Sequence, residues 1–541
     1  MTTVIRMFCV LVFVLAGLTT ASAENVKPLT QESFFQTLTG KNTQQKQQAA
    51  TWLASSYSFT TAKPILEAWL NGNLYYLKDS KHSQHQQLFI IENVQKGADA
   101  EHVWSDKRLN IENKRKFKKI KVNNKLRSYL RIEIASLGLH SSDREVRKHS
   151  VQELTGQPDT KAKLVTMLES EKDPEVVAMV EFALAINTSL DSDAENRLEA
   201  IEFVAESNQP IVLKTLNTIL AKETEPELLA AAERGLQKYQ QSQRLYSGVE
   251  TLFFGLSLGS VLVLAGIGLA ITFGVMGVIN MAHGELIMLG AYTTFVMQQL
   301  LPQYTGLALI LSIPVAFVVS GLVGILIERS VIRHLYGRPL ETLLATFGIS
   351  LILQQAVRSI FSPLNRSVST PEWMAGALEI NPMLSLTYNR LYIILFCAMV
   401  FIALVMILKK TPLGLQVRAV SQNRAMARAM GIRSERVDAM TFGLGAGVAG
   451  VAGVALSQLT NVGPNMGQAY IIDSFMVVVF GGVGNLWGTL VAGLGLGLFN
   501  KILEPWAGAV LAKILVLVFI ILFIQKRPRG LFPQRGRAAE S

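Results

Sequence analysis

The sequence is poor in the residues that redox and metal sites need. Among 541 residues there are two cysteines and seven histidines. Cys9 lies in a leader-like run and Cys397 in an apolar segment, so the mature chain is expected to hold no disulfide and no cysteine-ligated metal. His283 and Glu285 are two apart, which is not the H-E-x-x-H spacing, and no metal is assigned. No Gly-x-x-x-x-Gly-Lys-Ser/Thr occurs, so the chain has no phosphate loop with which to cradle ATP. No catalytic constellation stands out either. The reading is of a non-enzyme without a cofactor.

What is present is apolar. Half the residues are hydrophobic, mean hydropathy is +0.32 and the pI is about 9.5. The average hides two unlike halves: residues 24–245 are rich in Lys, Glu and Gln, whereas 251–525 are mostly apolar and Gly-rich. The formal charge of +11 does not imply a nucleic-acid partner, because cytoplasmic loops of membrane proteins collect Lys and Arg. The polar half also lacks an aromatic–basic RNA-binding pattern.

Residues 1–23 read as a secretory signal peptide, with an uncleaved anchor as the alternative: Arg6, an apolar Met7–Leu18 too short to span comfortably, and Ala21-Ser22-Ala23 for cleavage. Residues 24–245 are then a periplasmic, mainly α-helical domain, and 246–541 a membrane domain. In the first, Gln47–Trp52 and Ala62–Leu70 have helical spacing, while Leu74–Leu77 and Leu88–Ile91 read as a small β-hairpin. The basic run Arg115–Lys121 reads as a solvated strand. Asp143-Arg144-Glu145-Val146, Asp173-Pro174-Glu175-Val176 and Glu225-Pro226-Glu227-Leu228 each open an amphipathic helix with an acid in its first turn. Their recurrence resembles HEAT-type helix pairs, which serve as a docking surface or a structural cap.

Apolar segments fall at about 251–273, 286–301, 307–327, 342–361, 391–408, 437–458, 472–501 and 508–525. A secreted N-terminus puts Arg329, Arg333 and Arg338 in the cytoplasm, and the loop Lys409–Arg436 with them. That loop has seven basic residues and one acid. The basic tail (Lys526, Arg527, Arg529, Arg535, Arg537) also belongs inside, which eight crossings do not allow. The segment 472–501 therefore splits at Gly481-Gly482-Val483-Gly484-Asn485 into a short Asp473–Phe480 and a fuller Leu486–Asn500. Broken helices at membrane depth occur beside polar cavities or inside protein. A second polar interruption, Phe273–Glu285, holds Asn280, His283 and Glu285, which are costly in lipid. Phe273-Gly274-x-x-Gly277 is echoed by Phe480-Gly481-x-x-Gly484. The glycines of 443–453 and 493–497 read as helix-packing positions. Asn280, His283, Glu285, Gln354, Gln355, Asn485 and Thr489 are the candidates for a polar solute pathway.

The run Phe273–Tyr292 (FGVMGVINMAHGELIMLGAY) closely resembles the signature of branched-chain amino-acid-type permeases of ABC importers. So do Gly414, Arg418, Ala419, Gln422, Asn423, Ala427, Met430, Gly431 and Ile432, the late Gly-Gly-x-Gly, and the closing Arg527–Phe532. The resemblance covers nearly all of 251–533. With the long domain in front, the chain resembles the urea-transport permease branch. The resemblance implies an all-α, polytopic inner-membrane bundle with its C-terminus in the cytoplasm. It also implies separate ABC ATPase subunits, a second permease subunit and a periplasmic solute-binding protein. Urea is the expected cargo; a branched-chain amino acid or short amide, or an ATP-independent urea channel, are the alternatives. Leu415–Met430 is expected to form one helix docking on the ATPase, with Arg418, Gln422, Asn423, Arg424, Ala425, Met426, Arg428, Ala429, Met430 and Gly431 at the contact.

Overall fold

The computed structural model describes residues 30–77, 88–92, 95, 97–105 and 107–532. The expected leader and the tail arginines Arg535 and Arg537 lie outside these residues. The chain divides into two compact units, Met1–Ser242 and Gln243–Ser541.

The first unit opens with α1 (Gln31–Thr39), α2 (Thr43–Ser56) and α3 (Phe59–Asn71). Thr30 and Ser33 form a capping box on α1, and the Asn42 side chain accepts the Gln44 N–H at the start of α2. The three helices bury Phe34 between Trp52 and Trp69, with ring centroids 5.3 and 6.5 Å away. A sheet follows: β1 (Leu74–Leu77), β2 (Leu88–Ile90), β3 (Asp99–His102), β4 (Arg108–Asn110) and β5 (Phe117–Lys119). It is antiparallel in the order β4-β3-β2-β1-β5. The expected hairpin is its β1–β2 core, with Tyr75 opposite Phe89. The sheet exceeds that hairpin because β3, β4 and β5 are three or four residues long and polar, without alternating hydrophobicity. The basic run lies on edge strand β5, where charge discourages further strand pairing.

Six helices complete the unit before α10: α4 (Asn124–Gly138), α5 (Arg144–Leu154), α6 (Lys161–Ser170), α7 (Pro174–Leu190), α8 (Arg197–Ala205) and α9 (Pro210–Lys222). Asp143 and Asp173 are N-caps, each accepting the N–H two residues on at 2.9 Å. Buried Asn187 fixes the turn between α5 and α6. Its side-chain oxygen accepts from Gly156 and Gln157 (2.6 and 3.0 Å), and its NH₂ donates to the Leu154 carbonyl at 3.2 Å. The unit boundary falls within α10 (Pro226–Met276).

The second unit continues with α11 (His283–Leu300), α12 (Thr305–Ser330) and α13 (Pro339–Phe361). A hairpin of β6 (Ala377–Asn381) and β7 (Leu384–Thr387) precedes α14 (Tyr388–Lys410). The remaining helices are α15 (Pro412–Gln422), α16 (Arg424–Ala429), α17 (Ser434–Ser457), α18 (Met466–Gly481) and α19 (Leu486–Lys526). Among the described residues, six helices are long and apolar enough to cross a membrane: α10, α12, α13, α14, α17 and α19. The helix α18 is a shorter apolar one.

Glycine sets the packing. A Cβ on Gly450 of α17 would lie 2.6 Å from the Ala316 carbonyl of α12, and one on Gly447 would meet Phe317 at 2.7 Å. On the other side of α17, Gly453 abuts the Ile287 carbonyl and Gly290 abuts Gly450. Backbones this close leave no room for any side chain. The glycines of 443–453 are packing positions.

The split of 472–501 falls at 482–485, as the glycines suggested, but α18 starts at Met466 and is longer than the expected Asp473–Phe480. Asn485 caps α19, accepting from Trp487 and Gly488 N–H. The helix α19 is a hairpin rather than one rod. Gly508 is non-helical (φ +78), and residues from either side of it meet: the Phe499 and Phe519 rings are 5.4 Å apart, and Phe532 returns to bond Gly481 and Asn485.

Contacts sort the loops of the second unit into two ends. At one, Val275 packs with Val417 and Val437, Gly274 abuts Gly484, Phe532 bonds Gly481, and Arg424 stacks on Tyr336. This end gathers the basic segments 329–338, 409–436 and 526–529. At the other, Arg366 and Val462 exchange two backbone hydrogen bonds, Gln298 bonds Ser369, and Arg390 lies 4.7 Å from the Phe254 ring.

Candidate functional site

The site is built on the interruption between α10 and α11. The helix α10 stops at Met276, and Gly277 (φ +66) turns the chain, a conformation that costs glycine little. Residues 278–282 then run back into the bundle. His283 donates its Nε2 hydrogen to the Ala265 carbonyl (2.8 Å), eleven residues before the end of α10, or about 16 Å along a helix. The first turn of α11 therefore begins deep inside the bundle, with its positive dipole end there. Glu285 occupies that first turn.

The facing wall is α13. Thr342, Thr346, Ser350 and Gln354 recur every four residues, so they form one stripe, and all four are buried. The same helix turns Leu344, Leu351, Ile352 and Ile360 outward. Thr346 Oγ1 accepts the Met281 N–H at 3.1 Å, tying the extended segment to α13, while its own hydrogen goes to the nearer Thr342 carbonyl at 2.9 Å. Two turns on, Gln354 Nε2 donates to Glu285 Oε1 at 2.7 Å and lies 3.4 Å from Ser350 Oγ. Gln354 is the one hydrogen-bond partner of this buried carboxyl among the described residues. Glu285 Oε2, Asn280 Nδ2 and His283 Nδ1 are buried with no hydrogen-bond partner among the described residues. Buried polar atoms of this kind are available to a polar solute or to water.

The seven pathway candidates thus separate. Glu285 and Gln354 meet across the α11–α13 face. Asn280 is fully buried in the linking segment, its Oδ1 accepting the Ala282 N–H at 3.0 Å. His283 shares their segment but turns to α10, where its ring fills the space beside Gly268. Gln355 is exposed on the far side of α13, because it is one residue out of the stripe. Asn485 and Thr489 belong to the 482–485 break. Asn485 spends its oxygen on the α19 cap and its NH₂ on the Phe532 carbonyl, and Thr489 Oγ1 donates to the Asn485 carbonyl at 3.0 Å. Their hydrogen bonds are structural. Thr342, Thr346 and Ser350 escaped sequence reasoning, although polar residues four apart in an apolar segment were the available signal. No group of three or more potential metal ligands occurs among the described residues.

The second candidate region is 409–436. It is two helices, not the single Leu415–Met430 helix expected. Asn423 is extended (φ −149), and its side chain accepts the Met426 N–H at 3.0 Å, which ends α15 and caps α16. Gly431 (φ +86) closes α16 with the paired bonds Ile432 N–H to Ala427 carbonyl and Gly431 N–H to Arg428 carbonyl, both 3.0 Å. Val417, Val420 and Ala427 pack inward with Val437, while Ala425, Met426, Ala429 and Met430 are exposed. Gln422 and Asn423 are also exposed. The arginines are not free docking charges. Arg418 bonds the Leu408 carbonyl, Arg428 bonds Ser434 Oγ at 2.7 Å, and Arg424 pairs with both Asp438 oxygens at 2.6 Å.

Residues 251–524 match the family model described as "Branched-chain amino acid transport system / permease component". The chain is 31% identical over 303 residues to the high-affinity branched-chain amino acid transport system permease protein LivH of Escherichia coli K12, covering 54% of this chain and 97% of LivH. It is 29% identical over 296 residues to the corresponding BraD of Pseudomonas aeruginosa, covering 53% and 96%. A shorter match, 33% over 108 residues, joins it to the ribose import permease RbsC of Bacillus subtilis, covering 19% and 34%. No solved structure matches. This chain is a multi-pass membrane protein and belongs to the family of permease components of branched-chain amino acid-type transport systems.

Proposed function

We propose that this chain is the membrane subunit of an ATP-driven importer for urea, energised by a separate ATPase that docks on 409–436. The carrying observation is the buried stripe of Thr342, Thr346, Ser350 and Gln354, with Gln354 bonded to Glu285 and Asn280 buried in the segment that Thr346 holds. Hydroxyls and amides with one carboxyl suit a small neutral solute rich in N–H donors. A zwitterion calls for complementary charge of both signs, and among the described residues no Lys or Arg of the second unit is fully buried. The relatives named for branched-chain amino acids support the second reading, an amino-acid cargo. The absence of a phosphate loop and the exposed Ala425, Met426, Ala429 and Met430 support ATPase docking.

The basic loops are cytoplasmic in this reading, by the positive-inside rule. The chain enters the second unit at the Phe254 end, away from those loops, which supports a periplasmic location for residues 24–245. That domain carries HEAT-like helix pairs and offers a surface to a partner such as a periplasmic solute-binding protein. A second permease subunit completes the channel. Labelled urea and leucine uptake into proteoliposomes holding the assembled complex, with and without ATP, is the test. The expected result is urea uptake that needs ATP. Urea uptake that ignores ATP contradicts the importer, and ATP-driven leucine uptake without urea uptake contradicts the cargo.

A further inference from the structure

One side chain joins the exposed loop to two other elements at once. Arg424, the first residue of α16, reaches both oxygens of Asp438 in the second turn of α17 at 2.6 Å. Its guanidinium carbon lies 3.8 Å from the centre of the Tyr336 ring, in the loop after α12. The Asp438 side chain is 5% exposed and Arg424 25%, so the pair is shielded from solvent. Neighbouring bases lie near other acids: Arg333 is 4.0 Å from Glu435 and Arg329 is 3.9 Å from Glu328.

Beyond Asp438, α17 is stiff by construction. From Val437 to Ser457 every residue but Met440 is buried, and its glycines press backbone to backbone on α11 and α12. Gly445 touches Gly268 of α10, and a Cβ on Gly268 would lie 2.9 Å from the His283 ring. At that crossing a Cβ on Gly445 would meet the Gly268 carbonyl and Thr272 Cγ2 of α10, both at 2.7 Å. A shift of the α17 start is thereby felt one layer from the interruption that carries His283 and Glu285, since close-packed interiors transmit strain.

We propose that Arg424 is the pin that delivers displacement of the α15–α16 loop to α17 and the loop after α12, and so to the 277–285 interruption. It is a positioning residue and touches no solute. The transport part of this rests on the importer reading; the mechanical part does not. A fork stacked on a ring is a geometry that lysine cannot reproduce.

The test uses the full chain with Arg424→Ala, Arg424→Lys and Tyr336→Leu. Hydrogen–deuterium exchange reports the mechanical link without any partner. Arg424→Ala is expected to raise exchange in 332–338 and the first two turns of α17 as well as in α16. In the assembled complex it is expected to leave ATPase co-purification unchanged and to lower solute moved per ATP at least tenfold, with Arg424→Lys and Tyr336→Leu intermediate. Faster exchange confined to α16, wild-type transport per ATP in Arg424→Ala, or loss of ATPase co-purification would each overturn the pin. The last result would make Arg424 a docking contact. Wild-type uptake that ignores ATP would defeat the importer reading alone, because the exchange pattern still decides whether Arg424 links the three elements.

Discussion

The helices α13 and α17 are both 23 or 24 residues long and apolar enough to span a bilayer, yet they are built in opposite ways. The helix α17 is mostly Ala, Gly and Val and is buried throughout from Thr441 to Ser457, so its neighbours touch its backbone. The helix α13 carries large apolar side chains outward and hides a polar stripe. The comparison separates two uses of one element. A helix of small residues fixes distances between backbones, whereas one with polar residues inside keeps hydrogen-bonding groups where a solute can use them.

The largest expected effect breaks the packing half of the comparison. Gly453→Val puts a branched side chain against the Ile287 carbonyl, while the Cβ of Gly348→Val on α13 would have nothing within 4 Å. Overpacking costs about 1–3 kcal/mol or more. Fluorescence-detected size exclusion should show loss of most folded protein for the first and a near-normal yield for the second. Equal yields would mean that α17 is not the rigid member. Next, Ala425→Glu with Ala429→Glu should abolish ATPase co-purification without reducing membrane insertion, because both positions lie on the exposed face of α16. A complex that still assembles would move the docking surface elsewhere. A smaller effect is expected of Thr346→Val, which keeps shape but leaves the Met281 N–H without its acceptor. An unpaired buried donor costs about 1–3 kcal/mol. Uptake several-fold below wild type is the expected outcome, and unchanged uptake would remove Thr346 from the line.

Much of this was legible beforehand, for physical reasons that differ by region. The interruptions at 273–285 and 481–485 were legible because Gly, Asn, His and Glu are conspicuous in apolar surroundings. The split of α15 from α16 was not, because Asn423 is tolerated within a helix and only its capping bond to Met426 ends one. The role of Arg424 was equally hidden, since sequence cannot distinguish an arginine aimed at solvent from one paired with Asp438. Gln354 and Gln355 looked equivalent as neighbours. A helical period separates them by about 100°, and only the register of α13 against α11 decides which one faces Glu285.

That neighbouring pair also provides the most direct test. Uptake should be measured for Gln354→Leu and Gln355→Leu in the assembled complex, normalised to protein in the membrane. The polar line on α13 predicts at least a tenfold loss for Gln354→Leu, which strips Glu285 of its partner, and less than a twofold change for Gln355→Leu. Equal losses, or a larger loss at Gln355, would contradict it.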